Sequence, residues 1–164
     1  ILTRDWSSDV CSSDLKMFLL GNFQHTLDDK NRIRLPSKLR DQMGDKYVVM
    51  PGLNGCIAVY PAEGEQKLLQ ALQDMDSFDP DQAEWLRSIS EYSDLVEPDG
   101  QGRFILNKDL MELCHIVKDV RIVGAINKVE IWSEEAYMER RNKQDRSAAA
   151  FDERYKNLHK AMSK

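Results

Sequence analysis

Two arginines, Arg32 and Arg103, each follow an aspartate by four positions. Arginine presents a planar fork of donors that suits a phosphate group or the major-groove edge of guanine. The same spacing also permits an ion pair within a turn, from Asp28 to Arg32 and from Asp99 to Arg103, which would fix the loop. The two interpretations are compatible, because the aspartate could orient the arginine and so reduce the entropy lost when it meets a ligand.

Each motif is part of a longer internal repeat. Residues 28–40 and 99–111 both contain D-x-x-x-R, three mostly apolar residues, a helix-start signal and a leucine three positions into that helix. A repeat of this length indicates one architectural unit used twice. It predicts a pseudo-symmetric binding protein rather than an enzyme with a pocket.

The elements expected around the two motifs follow the same order. Asn31 and Gly102 stand just before the arginines, where a tight turn with positive φ favours these residue types. Apolar strands are predicted at 33–35 and 104–106, and short helices follow, the second capped by Asn107. Alternating residues predict a hairpin from 47–50 and 56–60, and another from 120–123 and 129–132.

Helices are predicted for the remaining segments. Asp79 and Pro80 start one helix as N-cap and first-turn proline, and Ser133 caps a last helix. Apolar stripes run along these segments, formed by Leu68, Leu69, Leu72 and Met75, by Trp85, Leu86, Ile89 and Tyr92, and by Phe151, Tyr155, Leu158 and Met162. The last stripe fits equally a helix packed on its own domain and a subunit contact.

Composition limits the class of protein. The chain has 164 residues, 41% hydrophobic and 31% charged, which predicts a soluble globular fold. No apolar run approaches the ~18–20 residues that span a membrane. Three cysteines without a C-x-x-C pair are typical of reduced cytosolic thiols, and Cys56 and Cys114 are expected in the core.

Charge is segregated along the chain. The net charge is −5, but residues 25–40 carry five basic and two acidic residues, a net +3. Residues 62–99 carry two basic and eleven acidic residues, a net −9, and residues 138–164 carry eight and four, a net +4. The first repeat and the tail are therefore basic, and the middle is acidic.

Residues 1–16 differ from the rest of the chain. They contain a twice-repeated Ser-Ser-Asp-aliphatic element and lack the pattern of a secretory signal. We interpret them as a non-native leader that resembles translated sequencing-adaptor sequence, with the natural start at Met17. A native disordered arm is the alternative.

The doubled D-x-x-x-R unit, at a pitch near 70, resembles the MraZ family of bacterial proteins. The segments Met17–Phe23, Gly55–Pro61 and Val129–Trp132 fit the layout of that family as well. The resemblance implies a mixed, β-rich fold, in which two AbrB-like swapped-hairpin units form a pseudo-symmetric double-split barrel with peripheral α-helices. The implied domains are a first repeat at 17–63, a helical connector at 64–93, a second repeat at 94–136 and a C-terminal helix at 137–164.

The same resemblance implies a function. Members of the family are DNA-binding transcriptional regulators of the cytoplasm, associated with the nucleoid, and they assemble into homo-oligomeric rings. They bind short direct repeats in double-stranded DNA upstream of the operon for cell division and cell-wall synthesis, which includes their own gene. The motif carries over to Asp28, Arg32, Asp99 and Arg103. One departure is Asn31, where the family usually has glycine, and we expect the turn to survive at a small cost.

The basic residues near the motifs are therefore candidate DNA contacts. They are Lys30, Arg32, Arg34, Lys38, Arg40 and Arg103, with Asp28 and Asp99 as loop-orienting residues. Because the second motif has few basic neighbours in sequence, we expect the first repeat to dominate DNA contact and the second to support the fold and the ring. The acidic 62–99 segment would face away from DNA.

Two other classes of function compete with this interpretation. An enzyme is disfavoured, since the chain has no H-E-x-x-H, Walker loop, G-x-S-x-G or zinc spacing. No catalytic residue, metal or cofactor is predicted, and no membrane partner. A protein-binding module of antitoxin-like type is the alternative function, and it predicts a disordered partner-binding tail.

Overall fold

The computed structural model describes residues 18–63 and 66–164. The predicted leader, residues 1–16, lies outside the described residues. The chain divides into two compact units, the first ending at Glu134 and the second spanning residues 135–164. The first unit holds both repeats.

The described part of the chain contains eight strands and six α-helices. The strands are β1 (Leu19–Thr26), β2 (Arg32–Arg34), β3 (Tyr47–Pro51), β4 (Ile57–Pro61), β5 (Asp94–Val96), β6 (Arg103–Ile105), β7 (Asp119–Ile126) and β8 (Val129–Ser133). The helices are α1 (Ser37–Met43), α2 (Gln66–Gln73), α3 (Pro80–Tyr92), α4 (Lys108–Leu113), α5 (Glu134–Lys143) and α6 (Ala148–Met162), and a 3₁₀ turn spans Leu53–Gly55.

The strands form two antiparallel sheets. The larger has the order β1-β7-β8-β4-β3-β5, and the smaller is the pair β2-β6. The fold is therefore mixed α/β with a large antiparallel sheet, and no closed barrel forms among the described residues. The predicted mixed fold with helices is confirmed at this level, whereas the AbrB-like double-split barrel stays a prediction.

Strands from the two repeats pair with each other in both sheets. In the small sheet Ile33 lies opposite Phe104, its counterpart at the repeat spacing of 71 residues. In the large sheet β4 pairs with β8, and Val59 lies opposite Val129. A single repeat exposes too much apolar surface to be stable alone, and this cross-pairing lets the two share one core.

The core combines buried side chains from both sheets and from the short helices α1 and α4. Ile33 and Phe104 are 1% and 4% exposed, and the Phe104 ring meets that of Tyr47 edge to face at 5.5 Å. Burying such a side chain contributes roughly 1.5–3 kcal/mol. The predicted core thiols Cys56 and Cys114 are buried, and burial raises their pKa to about 12 and about 11.

The structure corrects two details of the sequence prediction. The strands β2 and β6 begin at the arginines themselves, one residue earlier than expected. The spacing of Leu110, Leu113 and Cys114 predicts that they share one face of their helix, but Leu113 is 46% exposed while Leu110, Met111 and Cys114 are buried. The first difference follows from the pairing of β2 with β6 and the second from the shortness of α4, which periodicity in one segment does not reveal.

The predicted single C-terminal helix is two helices, α5 and α6. Asp145 accepts a hydrogen bond from the backbone N–H of Ser147 at 3.0 Å, and the Ser147 hydroxyl caps α6 by accepting from Ala150. Such local side-chain bonds offer the backbone an alternative to the helix. The chain therefore leaves the helix after Lys143 and restarts at Ala148.

Candidate nucleic-acid interface

The first Asp–Arg motif is a closed turn held by one carboxylate. Asp28 Oδ1 accepts from the backbone N–H groups of Lys30 and Arg32, both at 2.9 Å. Asp28 Oδ2 accepts from Arg32 Nε at 2.6 Å. The turn is completed by backbone bonds between Asp28 and Arg32 and between Asn31 and Asp28. The predicted intra-turn ion pair is confirmed.

The second motif repeats this arrangement. Asp99 Oδ1 accepts from the backbone N–H groups of Gln101 and Arg103, both at 2.9 Å, and Asp99 Oδ2 accepts from Arg103 Nε at 3.0 Å. In both turns the aspartate engages Nε of the arginine, so the outer amino groups of the guanidinium, Nη1 and Nη2, hydrogen-bond to no other described residue. These amino groups are donors that the turns themselves do not use.

Both aspartates are held ionised by the turns they organise. The backbone N–H of Arg32 is the main cause that lowers the pKa of Asp28 below its ordinary value of 3.8. The backbone N–H of Arg103 does the same for Asp99. The carboxylates therefore remain charged near neutral pH and keep each arginine in place.

The residue before each arginine has the backbone conformation that the sequence predicts. Asn31 has φ of 59° and Gly102 has φ of 80°. A residue with a Cβ is disfavoured there by ~1–2 kcal/mol, and asparagine tolerates it best among the non-glycine types. The departure at Asn31 is thus accommodated, and the first turn has the same hydrogen bonds as the second.

The register of the small sheet places three arginines on one face. Arg34 lies directly opposite Arg103, and Arg32 lies opposite Ile105. Residues directly opposite in a pair, and residues two apart on a strand, share a face. We call the face formed by Arg32, Arg34, Arg103 and Ile105 the ribbon face.

The ribbon face points away from the core. Ile33 and Phe104, on the other face, are buried, whereas Arg34 is exposed and Ile105 is 61% exposed. Within residues 18–63 and 66–164 the Arg34 side chain has no hydrogen-bond or ion-pair partner. The prediction that Arg32 and Arg34 share an exposed face is confirmed. The second motif, which has few basic neighbours in sequence, gains Arg34 as a neighbour in space.

The other predicted contacts lie around this face. Lys30 is exposed in the first turn, and Lys38 is exposed on α1. Both point to solvent at the edges of the first repeat, where lysines suit phosphate contact. Whether they touch DNA stays a prediction.

Arg40 has a different setting from the one expected. It is half-buried, with Nη1 donating to the Leu35 carbonyl at 3.4 Å. Its Cδ and Nη1 lie 3.0 Å from the point where a Cβ on Gly102 would stand. Arg40 thus packs over the second turn, at a groove of about 500 Å³ that Asp45 and Glu97 also line. This placement favours a supporting role for Arg40.

Sequence reasoning missed Ile105. Its position in a strand was predicted, but its exposure follows from pairing with Arg32 across the repeats. The one available signal was the repeat alignment, in which Ile105 occupies the position of Arg34.

Neither a metal-binding cluster nor a membrane-spanning helix occurs in residues 18–63 and 66–164. No group of three or more histidine, cysteine, aspartate or glutamate side chains there is arranged to hold a metal ion. Within the same residues, no helix has the length and apolar character required to cross a membrane.

These features define a two-repeat protein that presents paired Asp–Arg turns on a shared β-ribbon. The family model described as "MraZ protein, putative antitoxin-like" matches residues 18–88 and 93–158. The chain belongs to the MraZ family, and the predicted family is confirmed.

Named relatives agree with this assignment. A protein of Clostridium beijerinckii named "Transcriptional regulator MraZ" is 38% identical over 120 residues, which cover 73% of this chain and 84% of the relative. Proteins with the same name from Clostridium acetobutylicum and Moorella thermoacetica are 36% and 34% identical, with the same shares covered.

Proposed function

We propose that this protein is a sequence-specific DNA-binding transcriptional regulator. The observation that carries the proposal is the ribbon face, on which arginines from both repeats lie side by side. Its relatives carry the name of transcriptional regulators. The proposed target is double-stranded DNA with short direct repeats, upstream of the operon for cell division and cell-wall synthesis and including the promoter of its own gene.

The dimensions of the ribbon suit a DNA groove. Two paired strands of three residues each span roughly 10 Å. The major groove of B-DNA admits a two-stranded ribbon of this kind. The Nη groups of Arg32 and Arg103 would contact phosphate or guanine, and each aspartate holds the Nε of its arginine in place before DNA arrives.

The charges on the ribbon face favour an anionic ligand. Like charges directly opposite in a strand pair destabilise a sheet, and Arg34 faces Arg103 in this way. A bound phosphate or guanine edge would relieve that repulsion. Asp99 offsets the charge of Arg103 in part, and the remaining positive charge at this end of the ribbon favours an anionic ligand.

Self-assembly and cellular location complete the proposed function. We propose that copies of the protein assemble into a ring. Each copy then contributes one ribbon face, and several modest contacts with repeated DNA sites together give tight binding. The two repeats would correspond to AbrB-like swapped-hairpin units. The protein would act in the cytoplasm in association with the nucleoid, and it would act by binding rather than by catalysis.

A protein partner is the second candidate. Four apolar side chains on α6, Phe151, Tyr155, Leu158 and Met162, are 52–75% exposed. An exposed apolar stripe of this kind suits contact with another protein, although the segment is an ordered helix and not the disordered tail that an antitoxin-like module predicts. DNA binding and protein binding make different predictions for Arg32, which lies on the ribbon face.

The test is fluorescence anisotropy on the protein beginning at Met17. The probes are DNA from upstream of its own gene and a scrambled duplex, each over a salt series, with wild type and Arg32→Ala. We expect preference for the upstream DNA, a steep negative salt slope of about −0.9 per phosphate contact, and loss of binding in the variant. Equal weak binding to both duplexes, unaffected by Arg32→Ala, would favour the protein partner.

A further inference from the structure

The two halves of the ribbon face are related by a pseudo-two-fold axis. The Ile33–Phe104 pair is its own counterpart under the repeat, and the pairs on either side of it exchange. Arg32 is equivalent to Arg103, and the turns behind them have the same hydrogen bonds. The backbone of the ribbon therefore looks alike from both ends.

The side chains break this symmetry at one pair of positions on the ribbon face. Arg34 in the first repeat is equivalent to Ile105 in the second. One end of the ribbon thus carries Arg34 beside Arg103, and the other carries Ile105 beside Arg32. Both Arg34 and Ile105 are exposed, and neither is needed to fill the core.

The chemistry of the two side chains favours different bases. Arginine reads the O6 and N7 acceptors of guanine, and an apolar side chain contacts the C5-methyl group of thymine. Ile105 lies among three arginines on the ribbon face and would be covered when that face enters a groove.

We propose that Arg34 and Ile105 determine the polarity of the DNA site. This rests on the proposed function. Arg34 reads a guanine at one end of the site and Ile105 reads a thymine at the other, so that a backbone with two-fold pseudo-symmetry recognises a site without two-fold symmetry. Repeats of such a site run in one direction when successive protein copies bind in one orientation.

Other differences between the repeats lie outside the ribbon face. Lys30 is replaced by Gln101 in the second turn, and Lys38 by Asp109 on the second short helix. The four residues of the ribbon face differ between its two ends at Arg34 and Ile105. The proposal therefore assigns the base preference of the two ends to this pair.

The experiment begins with selection from a duplex library that has a randomised centre, using wild type. Three short duplexes are then compared by anisotropy: the selected core, a palindrome made from its guanine half, and a palindrome made from its thymine half. Wild type should prefer the selected core by about 10-fold. Ile105→Arg should shift the preference to the guanine palindrome, and Arg34→Ile to the thymine palindrome.

The exchanged variant Arg34→Ile/Ile105→Arg is the sharpest case. It presents the wild-type face turned by half a rotation, so it should again prefer the selected core. Leu53→Arg is the matched control, since Leu53 is 73% exposed and lies outside the ribbon face. Ile105→Ser removes the methyl contact without adding charge, and it should abolish the thymine preference even if Ile105→Arg folds poorly.

The outcomes separate the two proposals. If wild type enriches no sequence, the proposed function fails. If wild type enriches a site but Ile105→Arg and Ile105→Ser keep its preferences, the function stands and the polarity proposal is overturned. A palindromic wild-type site would also overturn it.

Discussion

Arg34 and Arg103 come from different repeats and lie directly opposite each other on the β2–β6 ribbon. Arg103 is tied to Asp99 through Nε, whereas Arg34 has no acidic partner among the described residues. Two cations thus share one end of the ribbon. Arg103 takes part in a turn that stabilises the fold, whereas Arg34 is the cation that we assign to ligand binding.

Replacement of Arg34 by alanine should affect stability and binding in opposite directions. Removing the like-charge opposition should raise the free energy of unfolding slightly, because Asp99 already offsets part of the Arg103 charge. The affinity for upstream DNA should fall, and the slope of log affinity against log salt should become less steep by about 0.9 if one phosphate contact is lost. Chemical denaturation and anisotropy measure the two effects.

Lys67→Ala is the control for that prediction. Lys67 is an exposed cation on α2, outside the basic first repeat. Lys67→Ala should change the free energy of unfolding and the salt slope of DNA affinity only by the small amount expected from the loss of any positive charge. An unchanged affinity and an unchanged salt slope with Arg34→Ala would contradict the assignment of Arg34 to binding.

Asp28→Asn should weaken DNA binding through the arginine it holds. The amide oxygen can still accept from the backbone N–H groups of Lys30 and Arg32, but the NH2 group that takes the place of Oδ2 is a donor, so the charge-assisted bond from Arg32 Nε is lost. The protein should therefore fold and bind DNA less tightly. Asp29→Asn is the matched control, because it removes the neighbouring exposed charge. Equal effects of the two variants would mean that general charge, rather than the turn, matters.

The two turns should make the protein sensitive to acid in a defined range. The pKa of Asp28 and of Asp99 is lowered from 3.8 in the folded state. A lowered pKa stabilises the fold fully above 3.8, and this contribution is lost as the pH falls through the lowered value. The denaturation midpoint of wild type should drop there, and that of Asp28→Asn/Asp99→Asn should drop less. If the denaturation midpoint fell equally with pH in both proteins, the two aspartates would not be the cause of the acid sensitivity.

Gly102→Ala should destabilise the second turn. With φ of 80° at Gly102, a Cβ costs ~1–2 kcal/mol. The new Cβ would also lie 3.0 Å from Arg40 Cδ, although that side chain can move.

If backbone strain dominates, Gly102→Ala should cost as much in an Arg40→Ala background as in wild type. Recovery in the double variant would instead assign the cost to the clash with Arg40. Thermal denaturation of the four proteins decides this.

Local signals in the sequence predicted the parts of the site that depend on local structure. Asp28 and Arg32 are four residues apart, so their ion pair follows from the turn that Asn31 permits. The hairpins and the buried Cys56 and Cys114 also follow from short-range patterns. The doubled motif was sufficient to predict the family.

The parts that depend on pairing between repeats were not predictable in the same way. No property of Ile105 alone indicates that it faces Arg32, and no property of Arg34 alone indicates that it faces Arg103. The packing of Arg40 on Gly102 likewise joins a helix of one repeat to a turn of the other. The break before α6 depends on one local bond at Asp145 that competes with a helical pattern.

A double-mutant cycle on DNA binding tests most directly whether the two repeats form one DNA-binding face. Anisotropy would compare wild type, Arg34→Ala, Arg103→Ala and the double variant on the upstream duplex. If the two arginines share one end of a common face, each single variant should weaken binding and the effects should be non-additive, since neighbouring residues couple. If Arg103→Ala binds like wild type while Arg34→Ala does not, the first repeat acts alone and the shared face is contradicted.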